Sequence, residues 1–343
     1  MKRTIALGLC LFLALGAATV FVACRGEGPR EGEWNPSRPV QLIVPWGAGG
    51  STDLVSRIVV PELERALRTR IVVSNQPGAS GATGTQATLD AARDGYTWTA
   101  GSVGGLGLYQ VNNLLNTNIY EDWYLFLTAA DIGVVGVNPG SPYQTFADLL
   151  AAFRANPGQV RVATAGLTSS GTINIEKIRQ YTGIEYVNVP YAGGSPAVTA
   201  VVAGEVMVTS QLISEQIDLI RGGMIRPLAA LSGRDLYVSG FGVIPSITRY
   251  IPEFEAGDNW FGIFVPRGVP EIVITTMERI WGEVVANSSD VRTFIEGRGM
   301  LFDPTSGDVA QQRAFAYYQP VAWILYDNDL APVRPDTVGI PRP

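Results

Sequence analysis

Histidine is missing from this sequence altogether, and cysteine and lysine occur only twice each. Without histidine there can be no Ser-His-Asp or Cys-His catalysis, no imidazole ligand for a metal and no histidine pH switch. Cys10 and Cys24 both lie in the N-terminal segment, so the rest of the chain has neither a disulfide nor a thiol nucleophile. Beyond Lys2 the only lysine is Lys177, which the helical pattern places far from its helix's first turn, on a solvated face. Positive charge is scarce too, with 25 Lys and Arg against 31 Asp and Glu and no basic stripe. That argues against nucleic acid as a partner and against long-range steering of an anion. After the N-terminal segment no run is long and apolar enough to span a membrane.

The residues that are present suffice for two globular lobes, since 46% of the 343 are hydrophobic and only 16% charged. Met1 to Ala23 has the form of an export signal, with Lys2-Arg3 ahead of an uncharged run from Ile5 to Val22. If that segment is removed, the 25 basic residues lose Lys2 and Arg3 and fall to 23. Phe21-Val22-Ala23-Cys24 is similar to a bacterial lipobox, with Phe21 where Leu is usual, which makes Cys24 the expected lipid-bearing first residue. Residues 24–37, rich in Gly, Pro, Glu and Arg, are expected to form a flexible tether.

The chain is organised around Pro45-Trp46-Gly47-Ala48-Gly49-Gly50-Ser51-Thr52-Asp53. An apolar strand, Val40 to Val44, enters it, and the apolar spacing of Leu54, Val55, Ile58 and Leu63 continues it as a helix. Glycines allow close backbone approach, Ser51, Thr52 or Asp53 can cap the first turn, and unpaired N–H groups there attract an anion. The loop is neither a Walker loop nor a spaced dinucleotide fingerprint. Alone it is equally consistent with a plain tight turn.

Similar junctions recur. The strand Tyr96 to Ala100 meets Gly101-Ser102-Val103-Gly104-Gly105, and Val160 to Ala163 meets the hydroxyl-rich loop Thr164 to Thr172. The strand Tyr186 to Val189 meets Pro190-Tyr191-Ala192-Gly193-Gly194-Ser195-Pro196, where Ser195 is expected as N-cap and Pro196 as first helical residue. Pro61 is expected to kink or restart the first helix. Thr145-Phe146-Ala147-Asp148 has the capping-box form. Helices are expected over Pro270 to Ala286, Asp290 to Arg298 and Thr305 to about Tyr318. Strands alternating with helices predict α/β lobes with mostly parallel sheets and ligands at strand C-terminal ends.

Across Arg38 to Tyr318 the chain resembles the solute-binding receptors of tripartite tricarboxylate transporters, the Bug or TctC family. The matching words are Arg38-Pro39-Val40, Leu42-Ile43-Val44-Pro45, Ala48-Gly49-Gly50 with Thr52-Asp53, and Asn75 with Pro77-Gly78-Ala79. Asp94-Gly95-Tyr96-Thr97, Val189-Pro190-Tyr191 with Gly193, and Trp260-Phe261-Gly262 follow in order. The resemblance implies a two-lobed periplasmic-binding-protein fold of type II, joined by two crossing strands. On that plan, residues 38–136 and 260–326 form the first lobe, 137–259 the second, and 327–343 a loose tail. It also implies an extracytoplasmic receptor, not an enzyme, that clamps a small mono- or dicarboxylate without cofactor or metal and delivers it to a membrane permease.

By position the resemblance implies first-lobe ligand contacts from Trp46, Gly47, Ala48, Gly49, Ser51, Thr52 and Ser102. The second lobe would contribute Thr164, Ser169, Ser170, Thr172, Tyr191, Ala192, Gly193 and Ser195. Three departures bear on the ligand: Ala192 and Met207 stand where the family commonly has Lys and Asp, and Trp46 where Phe is common. Loss of the Asp would remove a partner for an amine or hydroxyl, and Trp46 could either stack on an aromatic ligand or simply pack. Asp53 is expected to cap its helix, because a carboxylate beside an anion would repel it. The rival readings are a receptor feeding a sensor kinase, a hydrolase or lyase on the same fold, and a structural lipoprotein with a dead cleft.

Overall fold

The computed structural model describes residues 29–343, so the export signal and Cys24 lie outside the described residues. In chain order the first sheet begins with β1 (Val40–Val44), α1 (Ser51–Leu67), β2 (Ile71–Asn75), α2 (Ala82–Asp90), β3 (Thr97–Ser102), a short α3 (Val103–Gly107) and β4 (Trp123–Asp131). Only Ile132 and Gly133 separate β4 from β5 (Val134–Val137), which opens the second sheet. There follow α4 (Phe146–Ala155), β6 (Arg161–Thr164), α5 (Ser170–Thr182), β7 (Val187–Pro190), α6 (Gly194–Val202), β8 (Val208–Thr209), α7 (Ile213–Arg221) and β9 (Arg226–Ala230). A hairpin of β10 (Leu236–Val238) and β11 (Gly242–Ile244) comes next. The chain then returns through β12 (Asn259–Pro266), α8 (Glu271–Arg279), α9 (Ser289–Gly297), β13 (Leu301–Thr305) and α10 (Gly307–Asp327).

The first sheet has the order β13-β4-β12-β3-β1-β2 and the second β7-β6-β8-β5-β9. In the first, β2, β1 and β3 are parallel, while β12 runs antiparallel between β3 and β4. In the second, β7, β6 and β8 are parallel and β5 runs against β8 and β9. Each lobe thus keeps its βα units parallel, which aligns their C-terminal loops towards one edge. The crossing strands approach closely at Gly262, where a Cβ would lie 2.0 Å from the Phe126 carbonyl oxygen. Only glycine permits that contact beside the irregularity between Phe261 and Gly262. Separate cores fill the lobes: Val44, Leu63, Trp98 and Trp281 belong to one, and Val135, Phe146 and Ile178 to another.

The capping box at Thr145 and Asp148 is present, as is the helix stop at Gly183 in the left-handed region. Elsewhere packing overrides local signals. Helix α1 runs unbroken through Pro61, because Val59, Val60 and Leu63 are buried and the carbonyl left without a donor belongs to exposed Arg57. Helix α6 starts at Gly194 with Gly193 as N-cap, so Ser195 is its second residue and not its cap. Thr305 ends an edge strand that the sequence reading omitted; β13 contains Pro304 and has a mixed pattern, as edge strands tolerate.

Among the described residues, both of the segments expected to be loose make fixed contacts. In the expected tether, Trp34 is buried, its ring meets Tyr96 edge-on at 5.3 Å, and its N–H donates to Thr276 Oγ1 at 2.9 Å. Glu33 pairs with Arg279. Burial of one large aromatic outweighs the entropy of the glycines around it. In the expected tail, Trp323 Nε1 donates to the carbonyls of Ile340 and Pro341, and Arg342 lies 3.9 Å over the Trp323 ring while pairing with Asp327.

Candidate functional site

The loops at the strand ends of the two lobes face each other across a cleft. Its first-lobe wall is the start of α1. Gly49 adopts φ +78°, and Gly50 serves as N-cap without a side chain to offer. The loop is braced by Asp53, whose Oδ2 accepts the Gly49 N–H at 3.0 Å and whose Oδ1 accepts from Asn75 Nδ2 and Arg57 Nε. Asn75 also donates to the Trp46 carbonyl at 3.0 Å. The Asp53 carboxylate is therefore spent on its own loop.

Ser51 points the other way. Its N–H donates to Glu215 Oε1 of the second lobe at 3.0 Å, and its hydroxyl donates to Asp131 Oδ2 at 2.8 Å. Ser214 donates to the same Asp131 oxygen at 2.5 Å. Burial pushes the Asp131 carboxyl up to about 6 against the pull of these two hydroxyls. Burial, reinforced by the charge of Asp131, pushes Glu215 up to about 7, while the Ser51 and Leu212 N–H groups oppose the rise.

Elsewhere in the cleft the polar groups are an amide and hydroxyls. Asn259 Oδ1 accepts the Gly104 N–H at 3.1 Å, and its Nδ2 donates to Ser170 Oγ at 2.8 Å. Ser102 Oγ accepts the Gly105 N–H at 3.1 Å. Ser169 is the N-cap of α5, accepting from Thr172 N–H at 3.3 Å.

Contacts between the lobes leave about 30 Å³ of room in the cleft, space for water-sized molecules only. Gly47 N–H donates to the Ala192 carbonyl at 3.3 Å, Leu167 N–H to Ser80 Oγ at 3.0 Å, and Thr168 Oγ1 to the Ser80 carbonyl at 2.8 Å. A solute of several heavy atoms needs the lobes to part.

Of the residues singled out in the sequence, Trp46, Ser51, Thr52, Ser102, Ser169 and Ser170 line the cleft together. Trp46 also packs against Gly81, where a Cβ would lie 3.1 Å from its ring. Gly47, Gly49, Ala192, Gly193 and Ser195 meet where the loops of the two lobes touch, outside the lining. Ala48 is exposed. Thr164 is buried and donates to Asn188 Oδ1, Thr172 donates to the Gly166 carbonyl, and the Tyr191 hydroxyl turns to Glu205. Met207 is exposed away from the cleft, so its departure from the family pattern removes nothing from the lining. Lys177 is not on an open face: its ammonium donates to the Glu255 carbonyl at 2.6 Å in a hollow beside α10, and burial lowers it to about 8.

The sequence reading passed over Thr168, Gln211, Leu212 and Glu215 as cleft residues, and these line the cleft together with Phe261. Glu215 follows Leu212 by three residues and accepts its N–H at 3.4 Å, so in sequence it resembles an ordinary helix-capping acid. Only the approach of α1 from the other lobe gives it a second role.

The model of the tripartite tricarboxylate transporter family receptor matches residues 55–319. The chain belongs to this receptor family. The receptor is 31% identical over 287 residues to protein BugT of Bordetella pertussis strain Tohama I, across 82% of this chain and 86% of that one. Among solved structures it is similar to R. palustris Rpa4515 with adipate, at TM-score 0.77 and 24% identity, covering 87% of this chain and 99% of the other. It is likewise similar to MatC of Rhodopseudomonas palustris with bound malate, at TM-score 0.74 and 23% identity, covering 86% and 99%. These likenesses establish the two-lobed periplasmic-binding fold of the receptor. No described helix is long and apolar enough to cross a membrane, and the described residues hold no group of three His, Cys, Asp or Glu fit for a metal.

Proposed function

We propose that this receptor clamps a small carboxylate between its lobes outside the cytoplasmic membrane and hands it to a permease of the tripartite tricarboxylate type, without catalysis. The observation that carries the reading is the pair of cleft hydroxyls on Ser102 and Ser170, each of which already accepts a fixed donor and keeps its own proton to give. The adipate and malate held by two proteins of the same fold support that ligand class. Charge-assisted hydrogen bonds contribute about 1.5–3 kcal/mol each. Few are needed for roughly micromolar binding, near 8 kcal/mol. Lobe closure around the solute gives the permease a shape to recognise. Lipid attachment at Cys24 would keep the receptor at a membrane surface.

The test is a thermal-shift series of the purified protein with small mono- and dicarboxylates and with their amides. A dose-dependent rise with an acid and none with its amide is expected. Equal shifts for acid and amide, or none with any acid, would contradict the reading.

A further inference from the structure

The cleft is electrically lopsided. Around Ser102 and Ser170 it offers hydroxyl protons for which no acceptor stands opposite among the described residues. At Ser51 both donors are taken by acids, the N–H by Glu215 and the hydroxyl by Asp131. Glu215 Oε1 takes the Ser51 N–H, and Oε2 takes the Leu212 N–H at 3.4 Å and, with the amide of Gln211 turned, its Nε2 at 3.2 Å. A carboxylate oxygen accepts two hydrogen bonds, so Glu215 retains acceptor capacity on its cleft side, where it is partly exposed.

No lysine or arginine lines the cleft to balance these acids. Arg298 reaches the Ser214 carbonyl and pairs with Asp218. Glycine at 194 keeps the space open for the acid, since a Cβ there would lie 2.1 Å from Glu215 Oε1. A solute bearing only carboxylates would add negative charge beside Glu215 and Asp131 with no cationic side chain in the lining to offset it.

We propose that Glu215 fits this cleft to small carboxylic acids that also carry a protonated amine, the carboxylate going to the Ser102 and Ser170 hydroxyls and the ammonium to Glu215. This rests on the reading of the cleft as a carboxylate site. Glu215 is then the specificity-determining residue, supplying from α7 an acceptor that the exposed Met207 does not.

Isothermal titration of the purified protein at pH 7.5 tests it with matched sets: aspartate, malate and succinate; glutamate, 2-hydroxyglutarate and glutarate; 2-aminoadipate and adipate. In one set the amino acid should bind at least 10-fold more tightly than its hydroxy or deamino partner. Glu215→Gln, checked for folding by its melting curve, should remove at least 10-fold of that preference. Partners that bind as tightly as the amino acids, or a preference that survives Glu215→Gln, would overturn the inference while the carboxylate reading stands. Binding by none of these acids would overturn both.

Discussion

Two helix starts meet in the cleft, and they are finished differently. The N-cap of helix α5 is made within its own lobe: Ser169 accepts the Thr172 N–H, and Thr172 ties back to Gly166. Helix α1 has a bare glycine as N-cap, and its Ser51 N–H finds its acceptor, Glu215, only in the other lobe. The first is a finished part of a rigid body. The second is satisfied only while the lobes are together, which couples the end of α1 to closure. The comparison also separates two kinds of polar residue in one cleft: those that cap, and those that reach across.

The sharpest way to break this contrast is pH, because the contact at the start of α1 ends on the carboxylates of Glu215 and Asp131, whereas the α5 cap is a hydroxyl. Asp131 and Glu215 titrate at about 6 and about 7 in the folded protein, above their ordinary values of 3.8 and 4.5. The folded state therefore holds protons that the unfolded chain releases. The stability from these groups is full below about 4 and is lost as pH rises through 6 and 7. Asp148 and Asp235 are shifted the other way, and Glu176 on α5 is raised by burial in the same sense as the two cleft acids, so the α1 share is read by comparison with Glu215→Gln. Melting temperature should fall by several degrees between pH 5 and pH 8, at roughly 1–2 °C per kcal/mol for a chain of this size. Differential scanning calorimetry should find a shallower fall in Glu215→Gln, and the same slope in that variant would remove the carboxylate account of the α1 end.

A smaller effect sharpens the α5 side. Ser169→Ala removes a self-contained cap and should cost about 1 kcal/mol in urea unfolding, with the pH profile of the wild type retained. A changed pH profile in that variant would tie the two helix starts together and dissolve the distinction.

The same contrast explains how much was legible beforehand. Strand, glycine loop and helix recur as local words, so the βα units, the capping box at Thr145 and the loops that carry Ser51, Ser102, Ser169 and Ser170 could be picked out from periodicity and turn chemistry, and the family resemblance singled out those hydroxyls by position. The acid cluster could not. Ser51 meets Asp131 across 80 positions and Glu215 across 164, and nothing around Leu212 distinguishes a cleft-facing acid from a surface cap. Trp34 and the residues after Asp327 misled for a related reason: glycine and proline signal flexibility locally, whereas buried tryptophans decide the matter at a distance. Thr164 and Tyr191 sit in suitable loops but spend their hydroxyls on Asn188 and Glu205, partners that a loop pattern does not reveal.

The most direct measurement is a crystal structure of the receptor with the tightest-binding acid from the titration sets. The account predicts a carboxylate between the lobes with its oxygens within hydrogen-bond distance of Ser102 Oγ and Ser170 Oγ. An acid bound outside the cleft, or inside it with its carboxylate away from both serines, would contradict that prediction.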